Sequence, residues 1–165
     1  MEFSSTAITH LRYHLWATKA ILVQADPLPE EDLRRDLKTS FSSIFGTLVH
    51  LYQSDSIWLA RLENRPGQTR EDYPAPENLA GVQTKWTDAQ ERLLRFGESL
   101  TAADWDRKIA YRTLAGMASE SPVWQIILHL VNHGTHHRGQ VISMLRQLGY
   151  KPTGLDLIGY YRANP

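Results

Sequence analysis

Along four long stretches of this chain apolar residues recur at the spacing that lines one face of an α-helix. The first, from Ser5 to Gln24, places Ile8, Leu11, Leu15 and Leu22 on one stripe, and "DPLPEEDL" closes it. The second begins at Thr39 or Ser40 and carries Ile44, Leu48, Leu51, Asp55, Trp58 and Leu62. The breaker cluster "NRPGQTR" ends it. The third, from Pro76 to Leu100, repeats Leu79, Val82, Trp86, Leu93 and Phe96. The fourth starts at Ser121 as N-cap, with Pro122 in the first helical position, and runs to Gly149. Its stripe is Val123, Ile126, Ile127, Leu130, Gly134, Val141, Leu145 and Leu148. Gly134 within that stripe predicts close approach of a neighbouring helix, the one that carries His50.

Four such helices predict an all-α protein, a four-helix bundle formed as a single domain over residues 1–165. At 165 residues the chain is long enough to bury a core without disulfides or a structural metal. The segment "WDRKIAYRTLAGMASES" between helices three and four alternates in its first half, which predicts a small β-hairpin. The tail "YKPTGLDLIGYYRANP" reads as a loop folding back over one end.

Composition then narrows the function. Lys plus Arg and Asp plus Glu balance at 18 each, so no global field draws nucleic acid or an anionic membrane, and no nucleic-acid-binding motif is legible. Cysteine is absent, which removes disulfide scaffolds, thiolate zinc sites and cysteine nucleophiles together. No apolar run is long enough to span a bilayer. The start, "MEFSSTAITHLRYHLW", lacks a basic region followed by an apolar stretch. The expectation is a soluble cytoplasmic protein.

The chemistry is concentrated in "NHGTHHRGQ" on the fourth helix. His133 and His137 stand four residues apart inside the apolar stripe, one above the other and close enough to grip one metal ion. Burying two imidazoles costs free energy unless something satisfies them. A third ligand must come from another helix, where His50 lies on the flank of the second stripe and Asp55 within it. His10 and His14 repeat the same spacing on the first helix, so spacing alone does not rank the two pairs. His129 and His136 fall at the border of the fourth stripe and read as support or surface. The tryptophans read as packing.

"ILHLVNHGTHHRGQVISMLRQLG" resembles the signature of the DinB/YfiT-like superfamily, four-helix-bundle metalloproteins. "RYHLWATKAIL", "LVHLYQSDSIWLARL" and "GLDLIGYYR" are similar, in the right order, to the family's first helix, second helix and closing loop. The resemblance implies an up-down-down-up helix order and association as a homodimer. It also implies a divalent ion held by His50, His133 and His137, with zinc or nickel ahead of iron. His14 stands where the family more often has Asn, which leaves it at the mouth of the site or incidental.

Three neutral ligands would leave the ion its full charge and an open position. Asp55, Gln140 or a backbone carbonyl are the candidates to fix imidazole tautomers, and Arg138 is a candidate to hold an anionic substrate group or pair across helices. The family's assigned relatives include transferases and isomerases that use low-molecular-weight thiols such as bacillithiol, mycothiol or glutathione. The resemblance therefore implies a metal-dependent thiol transferase or detoxifying enzyme acting on a small-molecule substrate. A metal-hydroxide hydrolase and a non-catalytic metal-binding stress-response protein are the alternatives.

Overall fold

Where each helix begins is decided by the backbone N–H groups that its first turn leaves without partners. In a computed structural model, which describes residues 3–65, 68–113 and 115–164, helix α1 spans Phe3–Ala25 and a short α2 spans Glu30–Arg34. Helix α3, Ile44–Leu62, starts several residues later than the apolar pattern suggests. Ser43 is extended and its Oγ accepts from the Gly46 amide at 3.0 Å, while Lys38 and Ser42 adopt positive φ and keep the preceding segment out of the helix. Pro66 and Gly67 of the breaker cluster after α3 lie outside the described residues.

Helix α4, Leu79–Ser99, is capped by the Asn78 side chain on the Gly81 amide at 2.9 Å, so Pro76 precedes it. A 3₁₀ turn at Ala102–Asp106 follows, closed by reciprocal Thr101 and Asp104 bonds. The predicted hairpin forms: β1, Lys108–Arg112, pairs antiparallel with β2, Ala118–Pro122, in the register Ala110 opposite Glu120. This corrects the start of the last long helix. Ser121 belongs to β2, opposite Ile109, and α5 spans Val123–Gln147 with Pro122 as an uncapped N-cap. The Val123 amide donates to the Arg107 carbonyl at 3.0 Å, so backbone does the work assigned to a serine. The tail is also more ordered than a loop. Leu157–Ala163 forms α6, held by Tyr160, whose ring packs edge-on against Tyr13 at 5.8 Å.

The molecule is thus mostly helical with one small antiparallel sheet. Among the long helices, α1 and α3 each pack against both α4 and α5. Their apolar residues form two clusters. One holds Ile21, Leu48, Leu51, Trp86 and Leu145, the other Leu11, Leu59, Leu93, Ile126 and Leu130. On every long helix a buried polar residue falls between the two: Thr18 on α1, Asp55 on α3, Gln90 on α4 and Arg138 on α5. That polar level sets where chemistry is possible. Among the described residues no helix is long and apolar enough to cross a membrane.

Candidate metal centre

His50 comes from the middle of α3, and His133 and His137 from the middle of α5, successive turns of one face. The three meet between the helices. One nitrogen from each lies within 4.8 Å of the other two, and the ring centroids are 4.4 to 5.0 Å apart. Nε2 of His50 and Nε2 of His133 approach to 3.0 Å. Phe41 stacks on the His50 ring at 3.9 Å, nearly parallel, and touches His137 edge-on, so it covers one side of the cluster. Phe41 gets there because Gly46 has no side chain. A Cβ on Gly46 would stand 2.2 Å from the Phe41 carbonyl oxygen.

These imidazoles are electrically neutral at ordinary pH. Burial first, then the neighbouring His133 and His137, push His50 down to about 3. Burial, then His137, push His133 down to about 4. Burial also lowers His137. Metal ligation requires the unprotonated ring, so the cluster stands in the form that binds. The nitrogens carry a second mark of fit. Two neutral rings facing each other through Nε2 share one proton at that contact. Nδ1 of both His50 and His133 is buried without a partner among the described residues. A divalent cation accepting the Nε2 lone pairs suits this donor set, and three imidazoles are a common one. His137 is fixed for the same purpose: its Nδ1–H donates to Gln140 Oε1 at 2.8 Å, leaving Nε2 with its lone pair.

The remaining sequence-predicted residues gather elsewhere. His14 and Asp55, each 1% exposed, face each other at 3.0 Å, apart from the three-histidine group. Trp86 Nε1 and Gln90 Nε2 donate to the same Asp55 oxygen at 2.7 and 2.9 Å. Burial alone would raise the Asp55 carboxyl, but His14 and then these donors hold it below the usual carboxylate range. Arg138, equally buried, donates from Nη1 to His14 Nδ1 at 3.1 Å. Arginine has no acceptor, so His14 is the tautomer that accepts at Nδ1 and donates at Nε2 to Asp55. Asp55 thus lies outside the three-histidine group and bonds none of its rings, and Arg138 pairs across helices.

Gly134 does allow a helix to approach, but the neighbour is α1. A Cβ there would meet His14 Cε1 at 2.3 Å, which corrects the expectation that it faces the helix of His50. His10 turns away from His14 and bonds the Thr6 carbonyl. His129, one turn before His133, is exposed, with its ring 5.6 Å from that of His133 and 5.5 Å from Trp58. Sequence reasoning missed Phe41, since nothing in a turn marks a ring that will fold onto a histidine, and it missed Trp86 and Gln90 as donors to Asp55.

Fold and site together define a mostly helical protein with an interhelical cluster of three neutral histidines positioned to bind a metal ion. The comparisons agree. The sequence profile of the DinB family matches residues 1–164, and the chain belongs to that family. It is 29% identical to Protein DinB of Bacillus subtilis (strain 168) over 161 residues, covering 93% of this chain and 92% of that protein. A crystal structure of a DinB-like protein from Bacillus cereus ATCC 10987 has the same fold. It superposes with a TM-score of 0.67 at 19% identity, covering 88% of this chain and 94% of that one.

Proposed function

We propose that this protein is a divalent-metal-dependent enzyme that activates a low-molecular-weight thiol for attack on an electrophilic small molecule, a detoxification chemistry. The observation that carries the proposal is the convergence of three uncharged imidazoles with no carboxylate and no fourth histidine in the group, among the described residues. Such a donor set would leave an ion its positive charge and room for one more ligand. In this reading His50, His133 and His137 are the protein ligands, and zinc or nickel is favoured over iron.

A bound metal would supply positive charge that lowers the pKa of a thiol or water beside it. The chain's own residues then have defined tasks. Gln140 holds the His137 tautomer, and Phe41 keeps water from the His50 face. His129 stands beside His133 with its pKa lowered by desolvation, and its unprotonated ring can take up the proton that a thiol or a water gives away. That last feature serves hydrolysis equally well, and a metal-hydroxide hydrolase is the second reading.

The finer architecture belongs to the same proposal. The apolar cluster containing Trp86 draws on the C-terminal halves of α1 and α5 and the N-terminal halves of α3 and α4. This supports an up-down-down-up four-helix bundle formed as one domain. Cytoplasmic location, a homodimer and a role in stress response complete it.

The test is a thiol titration of the cobalt-substituted protein. A thiolate-to-metal charge-transfer band on adding glutathione supports thiol activation. No response to a panel of thiols, together with hydrolysis of activated esters, would replace it with the hydroxide reading. Silence in both assays would leave a non-catalytic metal-binding protein.

A further inference from the structure

The two buried arginines among the described residues are treated differently. Arg138 reaches Asp55 through His14, so its charge is answered inside the fold. Arg61, 8% exposed near the C-terminal end of α3, has no carboxylate partner among the described residues. Its Nη2 donates to the Arg112 carbonyl at 3.0 Å, and its guanidinium lies over Trp58 at 4.5 Å and Tyr111 at 5.1 Å. Nε is buried without a partner among the described residues. The nearby Glu63 is occupied by Arg65 and Arg92. A buried cation without an anion is costly to hold, and an anionic ligand is the natural compensation.

A cavity of about 650 Å³ opens at Arg61, between the β1–β2 hairpin and the segment after α3. Its walls bring two further guanidinium-bearing residues, Arg70 and Arg112, with Thr69 and the Tyr111 ring; Glu71 is the single acidic residue of the lining, and it is exposed. The lining includes none of the three histidines, and packed rings fill the space between the cavity and their cluster. Arg61 lies on Trp58, Trp58 meets His129 at 5.5 Å, and His129 meets His133 at 5.6 Å. Phe41 covers the cluster on the side of His50, whereas this chain of contacts leaves from His133.

We propose that Arg61, with Arg70 and Arg112 at the rim, forms an anion subsite seating a carboxylate or phosphate group of a small molecule. Bidentate recognition by a planar guanidinium suits both groups. Anion binding at Arg61 does not rest on the metal-centre reading above. Ligands would then be selected for an anionic group, and neutral analogues of the same shape would be taken poorly.

The experiment is calorimetric titration of the full chain, stripped of metal by a chelator, with malonate and with inorganic phosphate in separate runs. Wild type is expected to bind at least one of them saturably, and the tighter of the two identifies the group. Arg70→Gln and Arg61→Met are expected to weaken binding at least tenfold, while Arg35→Gln, at an exposed arginine just after α2 and outside the cavity, leaves it unchanged. Because no metal is present, failure of the metal centre does not affect the result. Arg70 is exposed, so its substitution remains decisive even if Arg61→Met does not fold. The proposal is overturned by absence of saturable binding of both anions to wild type. Unaltered affinity in Arg70→Gln, or in folded Arg61→Met, overturns it equally.

Discussion

His137 and Gln140 show how one side chain prepares another. The Gln140 oxygen accepts the Nδ1 proton and so decides which nitrogen of His137 keeps its lone pair. Gln140→Ala is expected to weaken metal affinity by about tenfold to a hundredfold, as losses of such supporting bonds do. Competition against a chelator of known affinity measures it, and unchanged affinity would mean that the ring is held by packing alone. Gly134 makes the opposite kind of contribution, through absence. Its missing Cβ is the space His14 occupies, so Gly134→Ala should cost about 1–3 kcal/mol in urea unfolding. At this level the sequence was readable in part. His133 and His137 declare themselves because spacing on one helix fixes their alignment. His50 does not, because its ring reaches the cluster from the flank of α3, and helical periodicity says nothing of what faces that flank. His14 misleads by sharing the spacing of His133 and His137 while spending both nitrogens on Arg138 and Asp55.

The helices owe their mutual level to the buried polar residues between the two apolar clusters. Asp55 on α3 accepts from Trp86 and Gln90 on α4 and from His14 on α1, and His14 in turn accepts from Arg138 on α5. Four elements are thereby joined through one carboxylate oxygen. Asp55→Ala leaves the buried Arg138 charge unanswered and three buried donors, on His14, Trp86 and Gln90, without this acceptor, and should destabilise the fold by about 3–5 kcal/mol. A double-mutant cycle with Arg138→Met should recover part of that loss; strict additivity would mean that the two groups are not coupled. Apolar periodicity located the four long helices because each buries a continuous face. It misplaced the start of α5 because Ser121 and Pro122 look like a helix cap yet are claimed by strand pairing with β1. It missed α6 because seven residues carry too short a pattern, and the helix is held from outside by Tyr160 against Tyr13 and Trp16.

Acidity and metal should act on the fold as a unit. His50 and His133 protonate at about 3 and about 4 when folded, against an ordinary value of 6.5. Between those limits the unfolded chain holds more protons than the folded one, so stability is full above pH 6.5 and is lost as pH falls toward 4 and then 3. Urea unfolding of the metal-free protein at pH 8, 6 and 4.5 should show this decline, and a variant lacking both histidines should show a shallower one. Equal stability at all three values in the wild type would contradict the buried, neutral cluster. Metal binding runs the other way. Free metal at about a hundred times its dissociation constant should stabilise the fold by about 2.7 kcal/mol, an effect that a chelator removes. The most direct measurement is the metal content of untagged protein, determined for wild type and for single alanine variants whose helicity is intact. Stoichiometric metal is expected in wild type and in His14→Ala, with loss in His133→Ala and His137→Ala and a marked reduction in His50→Ala. Unchanged metal in both α5 variants, or loss in His14→Ala with His50→Ala unaffected, would contradict a centre built from His50, His133 and His137.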